Sequence, residues 1–196
     1  LLLSITNAAT QNIPPVPFLW ILPLSIYLLT HILSFSRYAF YQRWIMGVFF
    51  LVSASAALML YHSSALFDIY SQLVIYGITL ATGCMICHGE LARSKPEESQ
   101  QTRFYLSMSL GGFLGGLIVS VIAPLVFTEY LEFPIGILLV MVLFLIAIGR
   151  QRKLVAALWT SCAVVIGLAF VYVDNAYKQR DVDTSRSFYG TLSVKD

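Results

Sequence analysis

The sequence predicts an all-α protein, a polytopic bundle of about six transmembrane helices preceded by a partial N-terminal helix. Of its 196 residues, 58% are hydrophobic and 11% are charged, whereas soluble domains average about 45–50% and about 25%. The mean hydropathy is +0.79. The apolar residues also form successive runs close to the roughly 20 residues that a helix needs to cross a bilayer.

The predicted elements follow one another with short connections. Residues 1–12 are typical of a helix that becomes polar, and Pro14 and Pro15 must end it. Because the chain starts inside an apolar run, we expect it to be a piece of a longer protein. Spans are predicted at residues 18–36, 44–61, 66–87 and 104–127, then in a run ending near 148, and at 154–173. Residues 1–173 thus form the transmembrane domain, and residues 174–196 form a polar tail.

The basic residues predict the topology. Eight of the twelve lie in three alternate connections, at residues 37–43, 89–103 and 149–153, and the connections between these contain none. Because basic loops stay in the cytoplasm, we expect these three to be cytoplasmic in a bacterial inner membrane. The tail then lies outside. A net charge of +2 does not indicate a nucleic-acid partner.

The candidate ligand or interface residues lie at predicted helix ends. His88 and Glu90 follow an apolar run, where they could cap carbonyl groups, bind a lipid headgroup or contact a partner domain. Asp68 lies in the first turn of the span predicted at residues 66–87, where an acidic residue is favoured by the helix dipole. Asn7 and Gln11, next to the proline-rich segment, are the candidates for an unwound, ligand-facing stretch.

Two rows of small residues mark the fourth predicted span. Residues four apart share a helix face, which groups Ser107, Gly111 and Gly115 in one row and Gly112, Gly116 and Ser120 in the next. Such rows let helix backbones approach closely in a membrane. We expect them to pack against residues 53–57 or 77–83. The alternative is a hinge or the lining of a transport path.

Three cysteines lie in apolar segments and do not form a disulfide framework. Cys84, Cys87 and His88 match the attachment pattern of c-type haem, which stays a remote alternative because the charge count places His88 on the inner side. We therefore expect no cofactor and no metal. No catalytic constellation or nucleotide-binding motif can be assembled from this sequence.

Three stretches together resemble a known family. They are residues 17–30, residues 87–116 with His88-Gly89-Glu90-Leu91 and the paired glycines, and residues 186–194 with Arg186-Ser187-Phe188-Tyr189-Gly190. They are similar to bacterial membrane proteins in which a transporter-like helical region is fused to a spermidine-synthase-like domain. In that family the last segment leads into the synthase-like domain.

The resemblance implies two functions from different classes. The first is a non-catalytic membrane domain that anchors or assembles a partner or fused spermidine-synthase-like domain. The second is a transporter module for a polyamine or another small organic cation. Neither makes this chain itself an enzyme. The expected partners are the lipid bilayer and a protein.

Overall fold

The structure, a computed structural model, describes residues 1–10, 18–36, 41–63, 67–127, 131–149, 153–178, 181–187 and 190–195. Its helices are α1 (Leu2–Thr10), α2 (Phe18–Phe35), α3 (Arg43–Ser63), α4 (Ile69–Arg93), α5 (Gln101–Leu117), α6 (Ala123–Val126), α7 (Glu132–Gly149) and α8 (Lys153–Lys178). A 3₁₀ turn (Glu98–Gln100) precedes α5, and a π-helical segment (Ile118–Ile122) joins α5 to α6. Two strands follow, β1 (Asp181–Ser187) and β2 (Gly190–Lys195).

Four helical stretches are long and apolar enough to cross a membrane, as the sequence predicted for a membrane protein. They are Arg43–Tyr61, Ile69–Arg93, Glu98–Val126 and Glu132–Gly149. Two shorter apolar stretches, Trp20–Phe35 and Trp159–Val173, accompany them. The helical fold class is therefore confirmed, and four of the expected spans reach full length within the described residues.

Helix α4 is the centre of the bundle. It packs between α2 and α3, and α7 packs against α1, α4 and α8. The α3–α4 contact uses small and hydroxylated residues, since the Ser53 and Thr82 hydroxyls lie 3.3 Å apart and Thr79 donates to the Ser53 carbonyl at 3.0 Å. Fully buried aromatic side chains, Phe50, Phe133 and Phe144, fill the space between these helices.

The expected packing of the α5 glycines is not present within the described chain. A Cβ placed on Gly111, Gly112 or Gly115 would meet no atom within 4 Å, and one on Gly116 would touch only Leu3 at 3.9 Å. The reason lies in the proposed partners, because the small faces at residues 53–57 and 77–83 already pack against each other between α3 and α4. Ser107 is exposed, and its hydroxyl donates to the Arg103 carbonyl.

Pro124 explains the π-helical segment. A proline has no N–H to donate, and its ring clashes with the carbonyl four residues earlier, here that of Ser120. The wider turn over Ile118–Ile122 avoids this clash immediately before the proline. The π-helical turn is followed by the short helix α6, which contains Pro124 in its first turn.

The two ends of the chain differ from the expected elements. Residues 2–10 form helix α1, so Thr6 and Asn7 are helical rather than unwound, and Thr6 donates its hydroxyl back to the Leu2 carbonyl. Gln11 lies outside the described residues. Helix α8 continues to Lys178, past the expected boundary at residue 173, and the polar tail contains an antiparallel ribbon in which Thr184 pairs with Ser193 and Arg186 with Thr191.

Gly47 and Gly111 form a matched pair that tests this packing. A Cβ on Gly47 would overlap the ring of Phe144, which is fully buried and has no room to move. We expect Gly47→Ala to lower the free energy of unfolding by about 1–3 kcal/mol. Gly111→Ala should leave it unchanged or raise it by up to about 1 kcal/mol, because alanine favours helix more than glycine does. Thermal unfolding in mild detergent measures both, and equal melting of the two variants would contradict the α3–α7 contact.

Candidate functional site

The His-Gly-Glu segment lies within α4, close to its end. The helix continues past Glu90 to Arg93, and the Ser94 N–H closes it on the Glu90 and Leu91 carbonyls. The helix therefore extends beyond residue 87, where the predicted span ended, and His88 and Glu90 belong to its last two turns. The sequence suggested an end because three polar or flexible residues follow an apolar run. The structure instead satisfies each of them across a helix interface.

Glu90 joins α4 to the start of α3. Its carboxylate accepts from Arg43 Nε at 2.6 Å and from Arg43 Nη2 at 2.5 Å, which is a bidentate ion pair. The Tyr41 hydroxyl donates to the same carboxylate at 2.8 Å. The Arg43 side chain is 9% exposed and that of Glu90 is 23% exposed. The pair is thus mostly buried, and its bidentate geometry defines one relative orientation of the two side chains.

Gly89 makes room for Tyr41. A Cβ on Gly89 would overlap the Tyr41 ring, so only glycine lets this aromatic side chain lie flat against α4. The Arg93 guanidinium covers the same ring at 5.1 Å from its centroid. Burial, followed by the hydrogen bond to Glu90, raises the pKa of the Tyr41 phenol above its ordinary value. Tyr41 therefore stays a neutral donor to Glu90.

His88 joins α4 to α2. Its Nδ1 lies 3.2 Å from the Thr30 hydroxyl, which also lies 2.9 Å from the Tyr27 carbonyl. If the hydroxyl donates to that carbonyl, His88 Nδ1 carries a hydrogen and Nε2 is left as an acceptor. The ring packs edge-on against Tyr27 and His31, with centroids 4.9 and 5.0 Å away. His31 Nδ1 is buried without a described partner.

A cavity of about 610 Å³ lies beside His88 and separates α5 from the rest of the bundle. Its walls come from α1, α4, α5 with its π-helical continuation, and α7. The paired glycines of α5 form one wall, and Tyr27, Cys84, Cys87 and His88 lie opposite. Glu132, at the start of α7 and 5% exposed, lines it as well. The volume and the residue composition of the cavity are typical of a ligand pocket, which is mostly apolar and contains a few polar groups.

The cavity is long. Its lining follows α5 and its continuation from Gly111 to Val126, a helical rise of about 22 Å. Among the lining residues Glu132 is the one carboxylate, and neither Lys nor Arg is present.

The structure brings only some of the predicted site residues together. His88 and the paired glycines face each other across the cavity. Glu90 points away to Arg43, and Asp68 sits at the other end of α4, where its carboxylate caps the helix by accepting from the Ser71 N–H at 3.1 Å. The hydrogen bonds from Ser71, first that of its hydroxyl, lower the pKa of the Asp68 carboxyl. Asn7 does not line the cavity.

The haem pattern also falls on this cavity. Cys84, Cys87 and His88 all line it, and both cysteines are free thiols. Among the described residues, groups of three or more side chains suited to hold a metal ion are absent. Covalent haem attachment therefore stays the remote alternative that the sequence suggested.

Several residues of the site were not predicted from the sequence. Arg43 and Tyr41 had been counted only as loop residues at the membrane surface, and Thr30 and Tyr27 only as parts of an apolar span. The one available signal was that Arg43 and Glu90 lie on the same predicted membrane face, where several other charged residues also lie. The chain matches no protein-family model, no curated protein and no solved structure.

The Arg43–Glu90 pair can be tested by a double-mutant cycle. Glu90→Ala leaves the Arg43 guanidinium sheltered without its counter-charge, and breaking such a pair costs about 3–5 kcal/mol. We expect the lower end of this range because Glu90 is partly exposed. Arg43→Met combined with Glu90→Ala should cost less than the sum of the Arg43→Met and Glu90→Ala changes. Glu98→Ala, an exposed acid in the following loop, is the control and should change stability by at most about 0.5 kcal/mol. Additive single changes would mean that the two side chains do not interact.

Proposed function

We propose that this chain is a membrane module that binds, and in its membrane moves, a small organic cation with an extended aliphatic body. The cavity between α5 and the α1–α4–α7 wall supports this proposal. An elongated ligand fits a cavity whose lining follows about 22 Å of one helix. The glycines keep that space open, because any side chain there would project into it.

The proposed topology has six spans. Helices α2 and α8 count as spans because they are 18 and 26 residues long, which is longer than the apolar stretches that they contain. The cavity then runs from His88, near the basic membrane face, toward Glu132, near the opposite face. A ligand that enters from either side meets a polar group first and an apolar wall next. This arrangement suits alternating access around α5, which has little packing to break.

The chemistry of the ligand follows from the cavity wall. The lining contains a single carboxylate, that of Glu132, and each further positive charge on a ligand would be costly to bury without a counter-charge. If the Thr30 hydroxyl donates to the Tyr27 carbonyl, His88 Nε2 is left as an acceptor for an N–H or O–H donor of the ligand. We therefore expect an aliphatic amine with a single charge to bind better than spermidine, which is the ligand suggested by the family resemblance and carries several charges.

Uptake into proteoliposomes tests this function. We expect octylammonium to accumulate faster in liposomes that contain the protein than in empty ones. Spermidine is the polyamine probe in the same assay. Gly115→Leu fills the cavity and should lower uptake at least tenfold while the protein melts like the parent. Gly167→Leu, a glycine of α8 that also has open space at its Cβ, is the matched control and should transport normally. Equal flux of both probes with and without protein would overturn the proposal.

The anchoring function is a second candidate, and the ribbon after α8 favours it. A two-stranded hairpin is marginally stable in water by itself, and β1 and β2 pair only with each other among the described strands. Further strands or a packed partner would stabilise it. In this candidate, a partner or fused soluble domain continues the ribbon, and α8 carries it to the membrane.

Amide hydrogen exchange distinguishes this candidate from a free tail. In the purified 196-residue chain we expect the amides of residues 181–195 to exchange quickly, as for an isolated hairpin. In the protein isolated from its native membrane in mild detergent, the same amides should be protected at least tenfold more strongly. Equally fast exchange in both preparations would exclude anchoring through the ribbon, and it would leave the uptake test unaffected.

A further inference from the structure

The charged end of α4 borders a second, smaller pocket that faces away from the cavity. It has a volume of about 240 Å³ and is formed by the end of α2, the residues before α3 and the last turn of α4. Its lining combines hydroxyl groups, an aromatic ring, a bare helix surface and two cations: Ser34, Ser36, Tyr41, Gly89, Arg93 and Lys95. Gly89 matters here too, because its bare surface lets Tyr41 form the floor.

The charge at this pocket is positive. Arg43 and Glu90 neutralise each other in their bidentate pair, and the raised pKa of Tyr41 keeps that phenol uncharged. Arg93 and Lys95 then contribute two positive charges. The carboxyl end of α4 contributes about half a negative charge, which the two cations outweigh. Glu97 and Glu98 follow in the same loop but do not line the pocket.

The cations and hydroxyls suit an oxyanion. Arg93 already lies over the Tyr41 ring at 5.1 Å, so its guanidinium is positioned at the rim. The Ser34 hydroxyl donates only to the Met85 sulfur at 3.7 Å, a weak acceptor that an anionic oxygen would readily replace. Phe35 and Ala92 add apolar surface beside these polar groups, as a molecule with both a charged and an apolar part requires.

We propose that this pocket binds the phosphate group of an anionic phospholipid at the membrane face where α2 and α4 end. The pocket lies between transmembrane helices on the face that carries the basic loops, which is where basic pockets bind anionic headgroups. The apolar lining faces the glycerol and acyl region of the lipid, and Arg93 and Lys95 face its phosphate. A soluble phosphate ester offers the same oxyanion without the apolar part.

Lipid binding to the full chain tests this site. In nanodiscs or mixed micelles, phosphatidylglycerol should raise the melting temperature more than phosphatidylcholine does, and native mass spectrometry should retain it as a bound lipid. Each basic side chain near an anionic surface contributes measurably, so Arg93→Gln with Lys95→Gln should weaken phosphatidylglycerol binding about tenfold or more. Arg103→Gln removes a charge from the exposed start of α5, outside the pocket, and should bind like the parent.

Two further arms keep the result interpretable. Arg93→Lys with Lys95→Arg preserves both charges and should retain lipid binding, which separates loss of the site from loss of the fold. Glycerol phosphate at millimolar concentration should not raise the melting temperature. Equal lipid binding by the parent and the Gln double variant overturns the proposal, and so does stabilisation by glycerol phosphate without stabilisation by the lipid.

Discussion

The arrangement of the bundle depends on one turn of α4, in which three successive residues contact three different neighbours. In lipid no hydrophobic effect drives helices together, so close packing and polar contacts must define their positions. Glu90 binds Arg43 of α3, Gly89 receives the ring of Tyr41, and His88 bonds to Thr30 of α2. Each contact restricts a different component of the helix arrangement. The ion pair fixes the height of α3, the glycine fixes its distance, and the imidazole fixes the rotation of α4 against α2.

The side of the bundle that contains α5 is packed less tightly than this turn of α4. Helices α2, α3 and α4 are held by polar contacts and small-residue packing, whereas only 6% of the apolar window of α5 is buried, against 39–50% for the other three long spans. The π-helical turn before Pro124 adds a local irregularity to this same helix. Weak packing and an irregular backbone are common where a structure must change shape. The cavity thus lies between the tightly packed helices and the loosely packed α5.

The sequence predicted what is local and missed what depends on distant residues. Long apolar runs gave the helices, and Asp68 was correctly expected at a helix start, because a cap involves residues only three positions apart. The end of α4 was placed too early because His88-Gly89-Glu90 is polar, and only the folded chain shows that partners 47 and 58 residues away satisfy it. The paired glycines predicted close helix packing, whereas the structure places a cavity opposite them. Their spacing carries no information on whether a helix or a cavity lies opposite.

The two pockets on either side of α4 differ in the charge of their lining. Arg93 and Lys95 line the pocket at the end of α4, whereas Glu132 is the one carboxylate among the residues that line the cavity and neither Lys nor Arg is among them. Both linings share this one helix, because Cys84, Cys87 and His88 line the cavity and Gly89, Ala92 and Arg93 line the pocket. Residues three or four apart share a helix face, so the change from an apolar run to a charged segment along α4 separates an apolar cavity from a basic pocket.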